Sequence, residues 1–193
     1  MRTQTLKWAL GALAIFLAAA ANAAGPEEQI KDTLDRVLAV TATFNSQQDF
    51  VDAKPKLREI ILPRFDFAEM ARRSLGDYWS GLHGKEQEFV SAFVDFAERS
   101  YTNALGTYRG EKMIYERETI NDDYAEVATG VVGSSGEKTP IVYRLHLVGT
   151  EWKVYDVVID DVSLVANFRS QFSRILKTAS LDDLIQKLRT KNA

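Results

Sequence analysis

Residues 139–159 read TPIVYRLHLVGTEWKVYDVVI. Apolar side chains recur at every second position, and Gly149-Thr150 interrupts the pattern once. A period of two is that of a β-strand, and a two-residue break joins antiparallel strands. The spacing therefore predicts strands over Thr139–Val148 and Glu151–Ile159. In the first, Ile141, Tyr143, Leu145 and Leu147 share one face. In the second, strict alternation puts Trp152, Val154, Asp156 and Val158 on one face. Lys153, Tyr155, Val157 and Ile159 fall on the other. Both faces of this strand are substantially apolar, which places it centrally or under cover on both sides.

Upstream, the same period predicts strands over Lys112–Ile120 and Tyr124–Val132. Asn121-Asp122-Asp123 and Gly133–Glu137 are connectors short enough for hairpins. Before Lys112 the period changes to 3.6. Pro26-Glu27-Glu28 opens a helix to about Val40, with Ile30, Leu34, Val37 and Leu38 on one stripe. Asn45-Ser46 reads as a loop. A second helix is expected over about Asp52–Leu62, with Pro55 in its first turn and Pro63 ending it. Asp66 is a good N-cap for the short helix FAEMARRSL, which Gly76 stops. Gly81–Gly84 is a loop. Lys85–Tyr108 is the longest helix, with Phe89, Phe93, Phe96, Ala97, Ser100, Tyr101, Ala104 and Leu105 at steps of three and four. Beyond the strands, a helix is expected over about Leu164–Thr178, and Ser180 caps a last one. About six helices and about four antiparallel strands in one domain make the class α+β.

The first 23 residues read differently. Arg2 and Lys7 precede an apolar run, Ala9–Ala21, and Ala21-Asn22-Ala23 supplies small residues at a cleavage site. This is the pattern of a secretory signal peptide. The run is shorter than the roughly 20 residues that span a bilayer. Residues 1–23 are thus expected to be cleaved, leaving 24–193 as a single exported domain. The 193-residue chain has no cysteine, so disulfides, thiolate zinc sites and a lipoprotein anchor are excluded. Its net charge of −3 carries no nucleic-acid footprint.

Catalytic chemistry is sparse. His83 and His146 stand far apart and outside any metal-ligand spacing, and no phosphate loop or nucleophile elbow occurs. Acid pairs such as Asp160/Asp161 flank turns and helix starts, where carboxylates cap. Asp156 shares a face with apolar neighbours. If buried it requires a partner, and Arg144 and Arg169 are the candidates. A structural ion pair and a pocket carboxylate are both open readings. Apolar side chains, by contrast, are abundant, and they fill a core or line a cavity equally well.

Tyr143–Phe172 reads YRLHLVGTEWKVYDVVIDDVSLVANFRSQF. It resembles the signature of the MlaC family, also called toluene-tolerance auxiliary proteins: a YRL strand, a WK-V-YD strand, a V-S-L-V turn and a helix opening N-[YF]-R-x-Q-F. Phe65-Asp66-Phe67, Met70-Ala71, Leu75-Gly76 and Trp79 match its upstream segment, as do Phe93 and Tyr101…Leu105…Tyr108. The resemblance covers residues 26–190. Asp161 departs from it, standing where the family commonly has Gly.

The resemblance implies a periplasmic phospholipid-binding carrier with no cofactor beyond its lipid, monomeric and without nucleic-acid partners. Its implied partners are an outer-membrane lipoprotein–porin complex and the inner-membrane Mla ABC transporter, and its task is outer-membrane lipid asymmetry. The implied fold is a curved antiparallel sheet packed by helices, NTF2-like in outline, around an apolar lipid cavity. The cavity is expected to be lined by Phe67 and Met70 from the short helix and by Phe93, Phe96 and Tyr101 from the long one. Tyr143, Leu145, Trp152 and Val154 join them from the strands, and Val162, Leu164 and Phe168 from the turn and helix that follow. Rival readings are an NTF2-like isomerase or hydratase using Asp156 with Tyr101 or Tyr143, a binder of another apolar ligand, and an assembly factor with a filled core.

Overall fold

The computed structural model describes residues 24–106, 111–133 and 135–190, with backbone alone at 47 and 101–106. The expected signal peptide and the Tyr108 end of the long helix lie outside the described residues. Six α-helices and a five-stranded sheet are present among them.

Helix α1 (Pro26–Thr41) starts on Pro26 with Glu27 and Glu28 in its first turn, where the exposed amides favour negative charge. Helix α2 (Gln47–Ile61) begins five residues before the expected Asp52. The reason is local. Ser46 Oγ accepts from the Asp49 amide, and Asp49 Oδ2 accepts from the Ser46 amide. This reciprocal cap satisfies two end donors. Pro55 consequently lies inside the helix rather than in its first turn, and removes one i→i−4 hydrogen bond.

A 3-10 turn at Leu62–Arg64 leads to α3 (Phe67–Leu75), capped by Asp66 Oδ1 on the Glu69 amide at 2.9 Å. Gly76, at φ +60°, ends it. A second 3-10 turn, Gly76–Leu82, precedes α4 (Glu86–Gly106).

The strands are β1 (Lys112–Asn121), β2 (Tyr124–Val132), β3 (Lys138–Val148), β4 (Glu151–Ile159) and the two-residue β5 (Val162–Ser163). They pair in chain order, all antiparallel. The fifth strand is an addition to the four expected. It forms because Asp160 and Asp161, at φ +49° and +63°, fold the chain straight back on β4. Two left-handed residues in succession make a tight hairpin turn. These aspartates therefore turn the chain, and the cap of α5 (Leu164–Leu176) is Ser163, whose Oγ accepts from the Ala166 amide. Helix α6 (Leu181–Thr190) carries the Ser180 cap read from the sequence.

Two bulges set which residues face inward. One falls at Glu116 in β1, between the Tyr115–Thr129 and Arg117–Ala128 pairs. The other falls at Tyr155 in β4, where Leu145 pairs with Val154 but Arg144 pairs with Asp156. A single extra residue reverses the phase of everything after it. The inner face of β4 is accordingly Trp152, Val154, Val157 and Ile159, opposite Leu147, Leu145, Tyr143 and Ile141 of β3. The strict alternation expected for β4 holds only up to Val154, and Asp156 lies on the outer face.

The interior has three apolar clusters. Helices α3 to α6 form an apolar body in which Phe93 meets Phe168 at 5.3 Å and Phe172 meets Phe89 at 6.0 Å, both edge to face. The inner sheet face packs with Ile30 and Leu34 of α1. A small cluster of Val37, Phe50, Leu57 and Ile60 joins α1 to α2. Arg64 ties α1 to the sheet by donating to Thr33 Oγ1 (3.1 Å), Gln29 Oε1 (2.5 Å) and the Trp152 carbonyl (2.7 Å). No helix among the described residues is long and apolar enough to cross a membrane.

Candidate functional site

The site is built where the helical body meets the inner sheet face. Phe65 forms a parallel bridge with Val154, and the Asp66 amide donates to the Val154 carbonyl at 2.8 Å. This splices the chain entering α3 onto the edge of β4. Phe65 also stacks on Phe67 at 5.5 Å. Phe65 and Leu164 are partly buried, and each packs against both the helical and the sheet cluster. They form a seam between the two apolar bodies. Leu34, Ile141, Leu147 and Ile159 are partly buried against the sheet cluster, and Phe67 and Trp79 against the helical cluster.

The residues expected to line a cavity fall into two groups. Met70, Phe93, Phe96 and Phe168 are buried in the helical cluster, with Phe67 and Leu164 at its margin. Tyr143, Leu145, Trp152 and Val154 are buried in the sheet cluster. Leu164 touches both. Val162 is not brought together with them: it lies on β5 and is 54% exposed. Tyr101 is on α4, with its side chain outside the described residues. Phe65 was missing from that set. Its signal is its place in the Phe65-Asp66-Phe67 match, directly before the Asp66 cap.

Hydroxyl groups interrupt the apolar inner face at one point. Thr129, 1% exposed, pairs with Tyr115 of β1 and stands beside the Tyr143 hydroxyl. Burial pushes the Tyr143 phenol far above its ordinary range and the Tyr115 phenol up to about 12. Both remain protonated under all ordinary conditions. Lys31 of α1 sits over the Tyr115 ring, 5.3 Å from its centre.

The outer face is polar. Asp156, 4% exposed, accepts from Arg144 Nη1 (3.2 Å), Ser163 Oγ (2.7 Å) and the Val165 amide (3.1 Å). Of the two arginines named from the sequence, Arg144 is the partner. Arg169 instead donates to the Arg73 carbonyl at 2.8 Å. Asp156 borders a cleft of about 570 Å³ together with Arg73, Arg144, Tyr155 and Arg169. Tyr143 faces the opposite side of the sheet, so Asp156 and Tyr143 cannot act on one substrate. His146 Nε2 lies 3.0 Å from Asp66 Oδ2, also on this outer side. No group of three or more His, Asp or Glu among the described residues is arranged to hold a metal ion.

The geometry is that of two apolar bodies meeting at a partly buried seam. The chain is similar in sequence and fold to known proteins. The sequence profile of the family described as MlaC protein matches residues 31–190. The intermembrane phospholipid transport system binding protein MlaC of Haemophilus influenzae is 25% identical over 138 residues, covering 68% of this chain and 64% of that protein. The toluene tolerance protein ttg2D of Pseudomonas putida is 31% identical over 88 residues, 45% of this chain and 41% of that one. The chain thus spans less than two thirds of the length of either relative in these matches. A solved structure, the phospholipid-binding protein from Ralstonia solanacearum in complex with a phospholipid, superposes with a TM-score of 0.76 at 26% identity. It covers 88% of this chain and 97% of its own.

Proposed function

This chain belongs to the MlaC family, and from that premise we propose that it is a periplasmic phospholipid carrier. It takes lipid between an outer-membrane lipoprotein–porin complex and an inner-membrane ABC transporter of the Mla system, and so maintains outer-membrane lipid asymmetry. The observation that carries the reading is the seam at Phe65 and Leu164, where sheet and helical body meet through partly buried apolar side chains. The phospholipid bound to a relative of the same fold supports it.

The physical demand is large. Each methylene exposed to water costs ~0.8 kcal/mol, so two unprotected acyl chains cost on the order of 20 kcal/mol. A carrier offsets this by offering apolar surface already withdrawn from water. Parting the seam offers Phe65, Phe67 and Leu164 to a ligand, with Ile141 and Ile159 half-buried on the sheet cluster. Transfer then needs only unequal affinities among donor, carrier and acceptor, with no bond made or broken. Any nucleotide hydrolysis belongs to the transporter. Residues 1–23 direct export and are removed by cleavage after Ala23.

Native mass spectrometry of the protein purified from the periplasm of a Gram-negative host tests this directly. The expected mass is that of a chain beginning at Ala24, with an excess equal to at least one diacyl phospholipid. A chain that carries no lipid, even after incubation with phospholipid vesicles, would refute the carrier reading.

A further inference from the structure

The inner sheet face contains one polar atom with nothing to bond. Tyr115 Oη is shut off from solvent and has no hydrogen-bond partner among the described residues. A phenol there is costly, because a buried donor left unpaired loses its water without replacement. Phenylalanine would fill the same space without that penalty.

The orphan is also aimed by design of the strand. Without the Glu116 bulge, Tyr115 and Arg117 would share a face. With it, Tyr115 pairs with Thr129 on the inner side and Arg117 turns outward. Bulges commonly re-aim a side chain beside a functional site. The Tyr115 hydroxyl joins those of Thr129 and Tyr143 in a patch across three strands. Thr129 Oγ1 is already turned to the Ile141 carbonyl at 3.2 Å, which leaves Tyr115 as the free donor. Next to the patch on the inner face lie Val127, Leu145 and Val154, all fully buried. Beyond it, over the Tyr115 ring, lies the exposed Lys31–Asp35 ion pair of α1. Charge, then hydroxyl, then hydrocarbon is the order of groups along a diacyl lipid, and its ester carbonyls occupy the middle position. They are neutral acceptors that lose water when the tails are buried, so they require donors.

We propose that the Tyr115–Thr129–Tyr143 patch receives the ester carbonyls of the bound lipid, with Tyr115 as the principal donor. The inference rests on the phospholipid-carrier reading and specifies which linkage that carrier recognises.

The test compares a diester phosphatidylglycerol with its diether analogue of equal chain length, which lacks the carbonyls. Both are offered together to delipidated protein, and occupancy is read by native mass spectrometry. The wild type is expected to favour the diester by roughly fivefold to tenfold, the weight of one hydrogen bond. Tyr115→Phe is expected to take the two lipids equally. The same variant should melt about 2–4 °C higher than wild type when lipid-free, since the orphan hydroxyl is gone. A purely structural tyrosine would not produce opposite effects on the empty and loaded states. Equal uptake of both lipids by the wild type would overturn the inference and leave the carrier reading intact. So would a diester preference that survives in Tyr115→Phe. Binding of neither lipid would overturn both.

Discussion

Asp156 shows how far one carboxylate reaches. Its two oxygens hold Arg144 of β3, the Ser163 hydroxyl of β5 and the Val165 amide in the first turn of α5. It thereby fastens the helix start to the sheet. Removing one partner of a buried pair leaves the other uncompensated. Asp156→Ala is expected to destabilise the protein by about 3 kcal/mol or more, read from urea unfolding. A loss below about 1 kcal/mol would show that Arg144 and the helix end are satisfied without it. Glu69 offers a pH-dependent counterpart. Hydrogen bonds from Arg72 first, and then from Arg73, pull its carboxyl from 4.5 down to about 2. A lowered acid contributes stability above the unfolded value and loses it as pH falls toward the folded one. Wild type should therefore lose stability between about pH 4.5 and pH 2, and Glu69→Gln should show a shallower slope there. Partial exposure keeps the effect modest, and identical slopes would mean that solvent screens the contact fully. The Asp156 carboxylate also marks where reading the sequence stopped. Its need for a cationic partner if buried was legible from polarity, with Arg144 as one of two candidates. Its face was not, because the Tyr155 bulge adds a residue without changing the local composition.

At the scale of elements, caps and turns were the most legible features. Asp66, Gly76 and Ser180 act where their chemistry put them. Strands β2 and β4 have the bounds expected from alternation, and β1 and β3 differ by one residue at one end. Helix α2 starts earlier than expected because its apolar stripe begins at Phe50 and the reciprocal Ser46–Asp49 cap begins the backbone just before it. The turn between β4 and β5 carries a prediction of its own. Asp161 holds a left-handed backbone at φ +63°, a conformation glycine adopts without steric strain. Asp161→Gly is expected to stabilise the protein by up to about 1 kcal/mol, measured as a shift in urea midpoint at constant slope. A decrease would assign the carboxylate a stabilising role that outweighs the backbone strain.

For the whole molecule, the α+β layout was legible because the period changes once from 3.6 to 2 and then back. The division of the interior was not. Periodicity tells which side chain faces inward, but two inward-facing sets look alike whether they fill one core or two. Phe93 and Val154 read as members of a single lining, yet they belong to separate clusters. The seam depends on Phe65, a residue between elements, where no periodic signal exists.

The bulge in β1 has a second effect. β1 is the strand at the free side of the sheet order, while the opposite side is taken by β5 and the Phe65 bridge. An uncovered strand is a template on which another chain can add. Here the template is spoiled. Lys112, Glu116, Arg117 and Glu118 charge it, and the extra residue at Glu116 breaks its hydrogen-bond spacing. The irregularity that turns Tyr115 inward thus also blunts the strand as a template for strand-by-strand addition.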